Sequence, residues 1–172
     1  MIIRPAESEF VPYYGKYVQL VGDGNVVAIL EKEIAETLAF LANIPESRRS
    51  FRYAPDKWSI NEVVGHMIDT ERVMSHRALR FARNDRTPLP GFEQDDYVPA
   101  AKFDEYPLSE LAKELAAVRQ ATCYLFRHIT DDASLRTGVA NGAEVSVRAL
   151  AYIIAGHELH HRNVLRDRYL TP

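Results

Sequence analysis

Apolar residues recur at alternating steps of three and four in four stretches of the chain, and each stretch predicts a half-buried helix. The first spans residues 25–42, with Val27, Leu30, Ile34, Leu38 and Leu41 inward and Glu31, Lys32, Glu33 and Glu36 among the outward positions. Pro45 ends it. The second begins at Ser59 and runs to about Asn84, on a stripe of Ile60, Val63, Met67, Met74 and Phe81. Ser59-Ile60-Asn61-Glu62 has the form of a capping box, and Trp58 stands where it can staple the approaching chain to the helix. The third covers 108–129, on Leu108, Leu111, Leu115, Val118, Thr122, Leu125 and Ile129. The fourth, capped by Ser146, covers 146–168, and its stripe is Val147, Leu150, Ile154, His157, His161 and Val164.

The connections are less regular. The N-terminal segment carries Tyr13, Tyr14 and Tyr17, which suggests a short helical stretch packed by its rings. Residues 84–107 form a long loop with four prolines and six carboxylates. A loop of that length in a small domain is usually functional or disordered, and its four aromatic residues argue against disorder. It is long enough to join two helices that run parallel. Residues 139–145 fit a small hairpin, because Asn141-Gly142 favours a type I′ turn. Four long helices without a convincing sheet predict an all-α four-helix bundle with a crossover between the second and third helices.

Composition narrows the function. At 172 residues the chain fits a single domain spanning its whole length. A net charge of −3 gives no basic footprint for nucleic acid. No apolar run is long enough for a membrane span. The N-terminus lacks the order of a signal peptide, so a cytoplasmic location is expected. Cys123 is the only cysteine, which excludes an internal disulfide and a cysteine-based zinc finger. It reads as a small core residue, since nothing near it in sequence would depress its pKa.

The fourth stripe breaks its own pattern. His157 and His161 stand where leucine or isoleucine belongs, four residues apart and therefore on one face, with Cβ atoms about 5–6 Å apart. Inward imidazoles need partners for their ring nitrogens. Neighbouring side chains can provide them, but a metal ion satisfies two rings at once. His160 competes as second ligand but lies about 60° off the stripe. Zinc usually takes at least three protein ligands. His66, early on the second helix and on the flank of its stripe, is the best third from spacing, without being the only choice. His76 and His128 read as surface residues. Asp69 is a candidate acceptor for an imidazole N–H, or equally a solvated carboxylate. His157-Glu158-Leu159-His160-His161 is not the His-Glu-x-x-His motif of zinc proteases, so a Glu158 general base has no support.

Three segments resemble the DinB-like superfamily. They are Lys57 to Arg72, containing Trp58-Ser-Ile-Asn-Glu62 and Gly65-His66; Leu89 to Val98, Leu-Pro-Gly-Phe-Glu-Gln-Asp-Asp-Tyr-Val; and Ser146 to Leu165, ending in Gly-His-Glu-Leu-His-His-Arg-Asn-Val-Leu. The resemblance implies a four-helix bundle holding one divalent metal, zinc or alternatively nickel, on His66, His157 and His161. It also implies frequent homodimers. Some relatives are thiol transferases: bacillithiol S-transferases and, more distantly, mycothiol-dependent maleylpyruvate isomerases. Others are labelled metal-dependent hydrolases, and many have no known activity.

Three neutral imidazoles leave a divalent ion an open position. A thiol there becomes a thiolate, and a water becomes hydroxide-like. The first expectation is thus a metal-dependent transferase joining a low-molecular-weight thiol to a small electrophilic substrate. Metal-dependent hydrolysis is the alternative, and a non-catalytic, stress-associated metal-binding bundle is another. Gln94, Asp95 and Tyr97 are candidate liners of the pocket. Arg48, Arg49, Arg52, Arg83 and Arg86 are candidates for attracting an anionic thiol, against the simpler reading of scattered surface arginines.

Overall fold

A computed structural model describes residues 1–170. In chain order its α-helices are α1 (Gly15–Val18), α2 (Val26–Ala42), α3 (Ile60–Ala82), α4 (Gln94–Ala101), α5 (Leu108–Arg127), α6 (Asp131–Ser134) and α7 (Val147–Val164). The strands β1 (Thr137–Ala140) and β2 (Ala143–Ser146) lie between α6 and α7. The four long helices are those expected, within one or two residues at most ends. Their N-caps are legible too. Ser59 accepts from the Glu62 amide while Glu62 reaches back to the Ser59 amide, and Ser146 accepts from the Ala149 amide.

α3 packs against α5 and α7, and α2 packs against the same two helices. Two apolar clusters fix the directions. One joins Val26 and Leu30 of α2, Phe81 of α3, Phe126 of α5 and Leu150 of α7. The other joins Leu41, Val64 and Leu111 with Leu165, just past α7. α3 and α5 therefore run parallel, as the crossover requires, and α2 and α7 run the opposite way.

Between the clusters lies a polar layer that the apolar pattern did not disclose. Arg119 of α5 is 1% exposed. It donates to both carboxylate oxygens of Glu71 on α3, at 2.9 and 2.8 Å, to Glu158 of α7 at 2.5 Å, and to the Leu30 carbonyl at 3.1 Å. Burial alone would lower its pKa, but Glu71 and Glu158 outweigh burial and raise it, so Arg119 stays charged. The inward line of α5 thus runs through Arg119, Cys123 and Phe126; Val118 and Leu125, expected inward, are only half-buried. A stripe drawn from apolar residues alone passes over an arginine whose partners sit on other helices.

Two further differences concern the connections. The loop 84–107 is not structureless: it contains α4 and a 3₁₀ turn, Phe103–Glu105. Asp95 and Asp96 suit the first turn of α4, and Lys102 ends it in the left-handed region at φ 53°. Pro99 inside α4 masks the helix in the sequence. The crossover is also pinned to the hairpin. The Leu89 amide donates to Val139 O at 2.9 Å and the Asn141 amide to Leu89 O at 3.0 Å. The hairpin itself turns on Asn141 (φ 53°) and Gly142 (φ 74°), as type I′ demands. Finally, the helix expected to 168 is α-helical only to Val164; Leu165–Tyr169 form one π turn. The Tyr169 hydroxyl donates to Trp58 O at 2.7 Å, and its ring packs edge-on to Tyr53 at 4.9 Å. No helix among the described residues is long and apolar enough to cross a membrane.

Candidate metal centre

α7 is the central rod of the molecule, buried from Ala149 to Glu158. Gly156 explains how it is covered on the N-terminal side. A Cβ at Gly156 would stand 2.0 Å from the carbonyl oxygen of Tyr17, so only glycine lets α1 lie this close. That approach sets the Tyr17 ring edge-on to His157 and to His160, each with centroids 5.3 Å apart. On α3, Gly65 does a similar service: a Cβ there would meet the Phe103 ring at 2.3 Å. The start of α3 is tied to the crossover by Asn61, whose Nδ2 donates to Phe103 O at 3.0 Å and Tyr106 O at 2.8 Å. His66 follows on the next turns, with the Trp58 ring 4.8 Å from its own.

These elements bring three histidines to one point. His66 Nε2 lies 3.0 Å from His157 Nε2, and His161 Nε2 lies 3.1 Å from the same atom. One ring nitrogen of each can be chosen so that all three lie within 4.8 Å of one another. Among the described residues they form the one group of three or more side chains of metal-ligand type with that geometry. Burial and the neighbouring histidines keep the rings neutral: His66 is lowered to about 4, and His157 and His161 fall well below the usual value. Neutral imidazole is the ligating form. A tetrahedral ion with bonds of ~2.0–2.1 Å spaces its ligand atoms ~3.3 Å apart, close to the 3.0 and 3.1 Å that separate His157 Nε2 from its two neighbours.

The supporting contacts correct one expectation. Asp69 does not reach His66; it lies 3.8 Å from Arg72, and burial raises its pKa. The partner of His66 Nδ1 is Thr70 Oγ1, at 3.4 Å. His161 Nδ1 is buried without a hydrogen-bond partner among the described residues, so packing orients that ring. His160 is half-buried and outside the trio, and His76 and His128 are exposed. Cys123 is buried, and burial pushes its thiol up to about 11. Glu158 is held by Arg119.

A cleft of about 420 Å³ opens onto the trio, and His66 and His157 are part of its wall. Tyr14, Tyr17, Phe92 and Arg77 line the rest of it, with Gln94 and Asp95 from the start of α4. Tyr97 does not line it but packs behind Phe92, centroids 5.5 Å apart. None of Arg48, Arg49, Arg52, Arg83 and Arg86 is part of the wall. Arg77 was the residue sequence reasoning missed, because it neighbours His76 and reads as surface. Its signal was position: eleven residues after His66, it falls on nearly the same helix face.

Solved structures share this fold. YfiT from Bacillus subtilis, described as a probable metal-dependent hydrolase with an unusual four-helix bundle topology, superposes with a TM-score of 0.75 at 16% identity, covering 96% of this chain and 91% of YfiT. A mycothiol-dependent maleylpyruvate isomerase gives a TM-score of 0.66 at 10% identity, covering 80% of this chain but only 58% of that longer one. A protein from Streptococcus pneumoniae gives 0.64 at 12% identity, covering 90% and 96%. No curated protein matches the sequence. The model of the DinB superfamily matches residues 29–165, and the chain belongs to that superfamily.

Proposed function

We propose that His66, His157 and His161 hold one divalent metal ion, zinc in the first instance and nickel as the alternative, and that the protein uses it to transfer a low-molecular-weight thiol to an electrophilic small molecule. The observation that carries this reading is the convergence of three neutral imidazoles, two of which (His66 and His157) form part of the wall of an open cleft. A structural site would be closed by a fourth protein ligand; here a small molecule has a way in. When bound, such an ion supplies Lewis acidity, which lowers the pKa of a thiol or water that reaches it.

The chain's own residues do the rest. His157 and His66 are steadied by ring contacts with Tyr17 and Trp58. Tyr14, Tyr17 and Phe92 give the cleft an aromatic wall that limits water around the reacting groups. Burial raises the pKa of Tyr14 and Tyr17, so both remain phenols and can donate hydrogen bonds. The carboxylates nearest the histidines in sequence are engaged: Glu71 and Glu158 by Arg119, and Asp69 by Arg72. None is placed as a general base, which favours a thiol that needs only to lose its own proton. Hydrolysis is the second reading, favoured by the likeness to YfiT, and would need a base from the cleft rim such as Asp95.

Cobalt substitution tests the proposal. Adding a small thiol to Co²⁺-loaded protein is expected to produce a thiolate-to-cobalt absorption band, absent in His157→Ala. Cobalt binding with no spectral response to any thiol, together with no turnover of thiol plus electrophile, would sink the transferase reading and leave hydrolysis.

A further inference from the structure

The cleft contains a buried charge that the chain does not neutralise. Arg77 is 4% exposed and lines the same wall as His66 and His157. Its guanidinium donates to Pro90 O at 2.9 Å and to Met74 Sδ at 3.6 Å, shares the cleft wall with Tyr14, and lies 5.8 Å from the Phe92 ring centroid. All four neighbours are neutral. The other buried arginine, Arg119, has two carboxylates. Among the described residues none lies within 4.0 Å of Arg77. Glu93 and Asp95 share the cleft wall, yet they are exposed and form no ion pair with it. A desolvated cation without a counter-charge is costly, so its persistence beside an open cleft points to a ligand that brings the missing charge.

We propose that Arg77 anchors a carboxylate on the substrate, so that the cleft takes a small molecule with a carboxylate at one end and its reacting group at the three histidines. Arg77 follows His66 by eleven residues, ~16 Å along the helix axis and within ~20° of the same face. Its side chain tilts back toward the helix N-terminus, which shortens the span. Met74, Tyr14 and Phe92 line the interval and suit a carbon chain. The planar fork of arginine matches a carboxylate in two parallel hydrogen bonds. Glu93 and Asp95 on the same wall disfavour a more highly charged group such as a phosphate dianion. The inference rests on the histidine trio as the reacting end, but the anchor can be measured separately.

The experiment is a calorimetric titration of wild-type, R77M and R77K protein, each metal-free and Co²⁺-loaded, with 6-mercaptohexanoate and with the uncharged 6-mercaptohexanol. Circular dichroism establishes that the variants fold. Wild type is expected to bind the carboxylate at least about tenfold more tightly than the alcohol in both metal states. R77M should lose that preference while keeping its affinity for the alcohol, and R77K should recover part of it. Equal affinities in wild type, no detectable binding of either ligand, or a preference that survives R77M would overturn the anchor. The cobalt spectrum reads the other claim: a carboxylate preference without a thiolate band keeps Arg77 as an anchor and rejects the thiol chemistry.

Discussion

At the scale of single residues, the polar layer is where the molecule has most to lose. Arg119 balances two buried carboxylates, so Arg119→Met should cost ~3–5 kcal/mol, because it leaves Glu71 and Glu158 charged and unpaired in the interior. Urea unfolding measures this, and adding Glu71→Gln should recover part of the loss. A change below ~1 kcal/mol would mean the layer is wetter than its burial indicates. Among the described residues, Thr70 is the side chain placed to fix His66 through Nδ1. Thr70→Val removes the hydroxyl and keeps the volume, and should weaken metal affinity by about tenfold, at the low end of what outer partners contribute, because 3.4 Å is a long contact. An unchanged affinity in a competition titration with a chelator would take Thr70 out of the site.

At the scale of elements, glycine positions decide what can approach α7 and α3. Gly156→Ala places a methyl against the backbone of Tyr17, which cannot rotate away. The expected result is a loss of ~1–3 kcal/mol in thermal or urea unfolding, with weaker metal binding as α1 shifts away from His157. Unfolding and metal affinity equal to wild type would show that α1 moves freely. The same elements show what the sequence discloses and where it stops. The long helices are legible because their apolar stripes, and the serine caps of α3 and α7, are local signals. The inward pair His157 and His161 is legible because it violates a local stripe. His66 needs the DinB-like resemblance, since spacing on one helix cannot report what faces it from another. Arg119 and Arg77 are illegible for that reason: buried arginines look like surface arginines until their partners, from other helices or from the crossover, are in place. α4 is hidden by Pro99, although its acidic first turn is a usable cue.

At the scale of the whole molecule, burial of the histidine trio ties folding to pH. In the metal-free protein His66 titrates at about 4, below its ordinary value of 6.5, and His157 and His161 are lowered as well. Between those limits the unfolded chain binds more protons than the native one. Stability is therefore complete above pH ~6.5 and falls as the pH drops toward 4, by up to ~1.4 kcal/mol per pH unit for each histidine. Urea midpoints that stay flat from pH 7 to 4.5 would contradict the burial. A bound ion stabilises the folded form by mass action, so chelation should lower the melting temperature at pH 7. The central claim is that the trio is a metal site, and X-ray absorption at the zinc edge of the loaded protein tests it most directly. One zinc per chain is expected, with three imidazole nitrogens at ~2.0–2.1 Å and one oxygen or sulfur scatterer completing the shell. A shell of oxygens alone, or an imidazole count unchanged in His161→Gln, would contradict it.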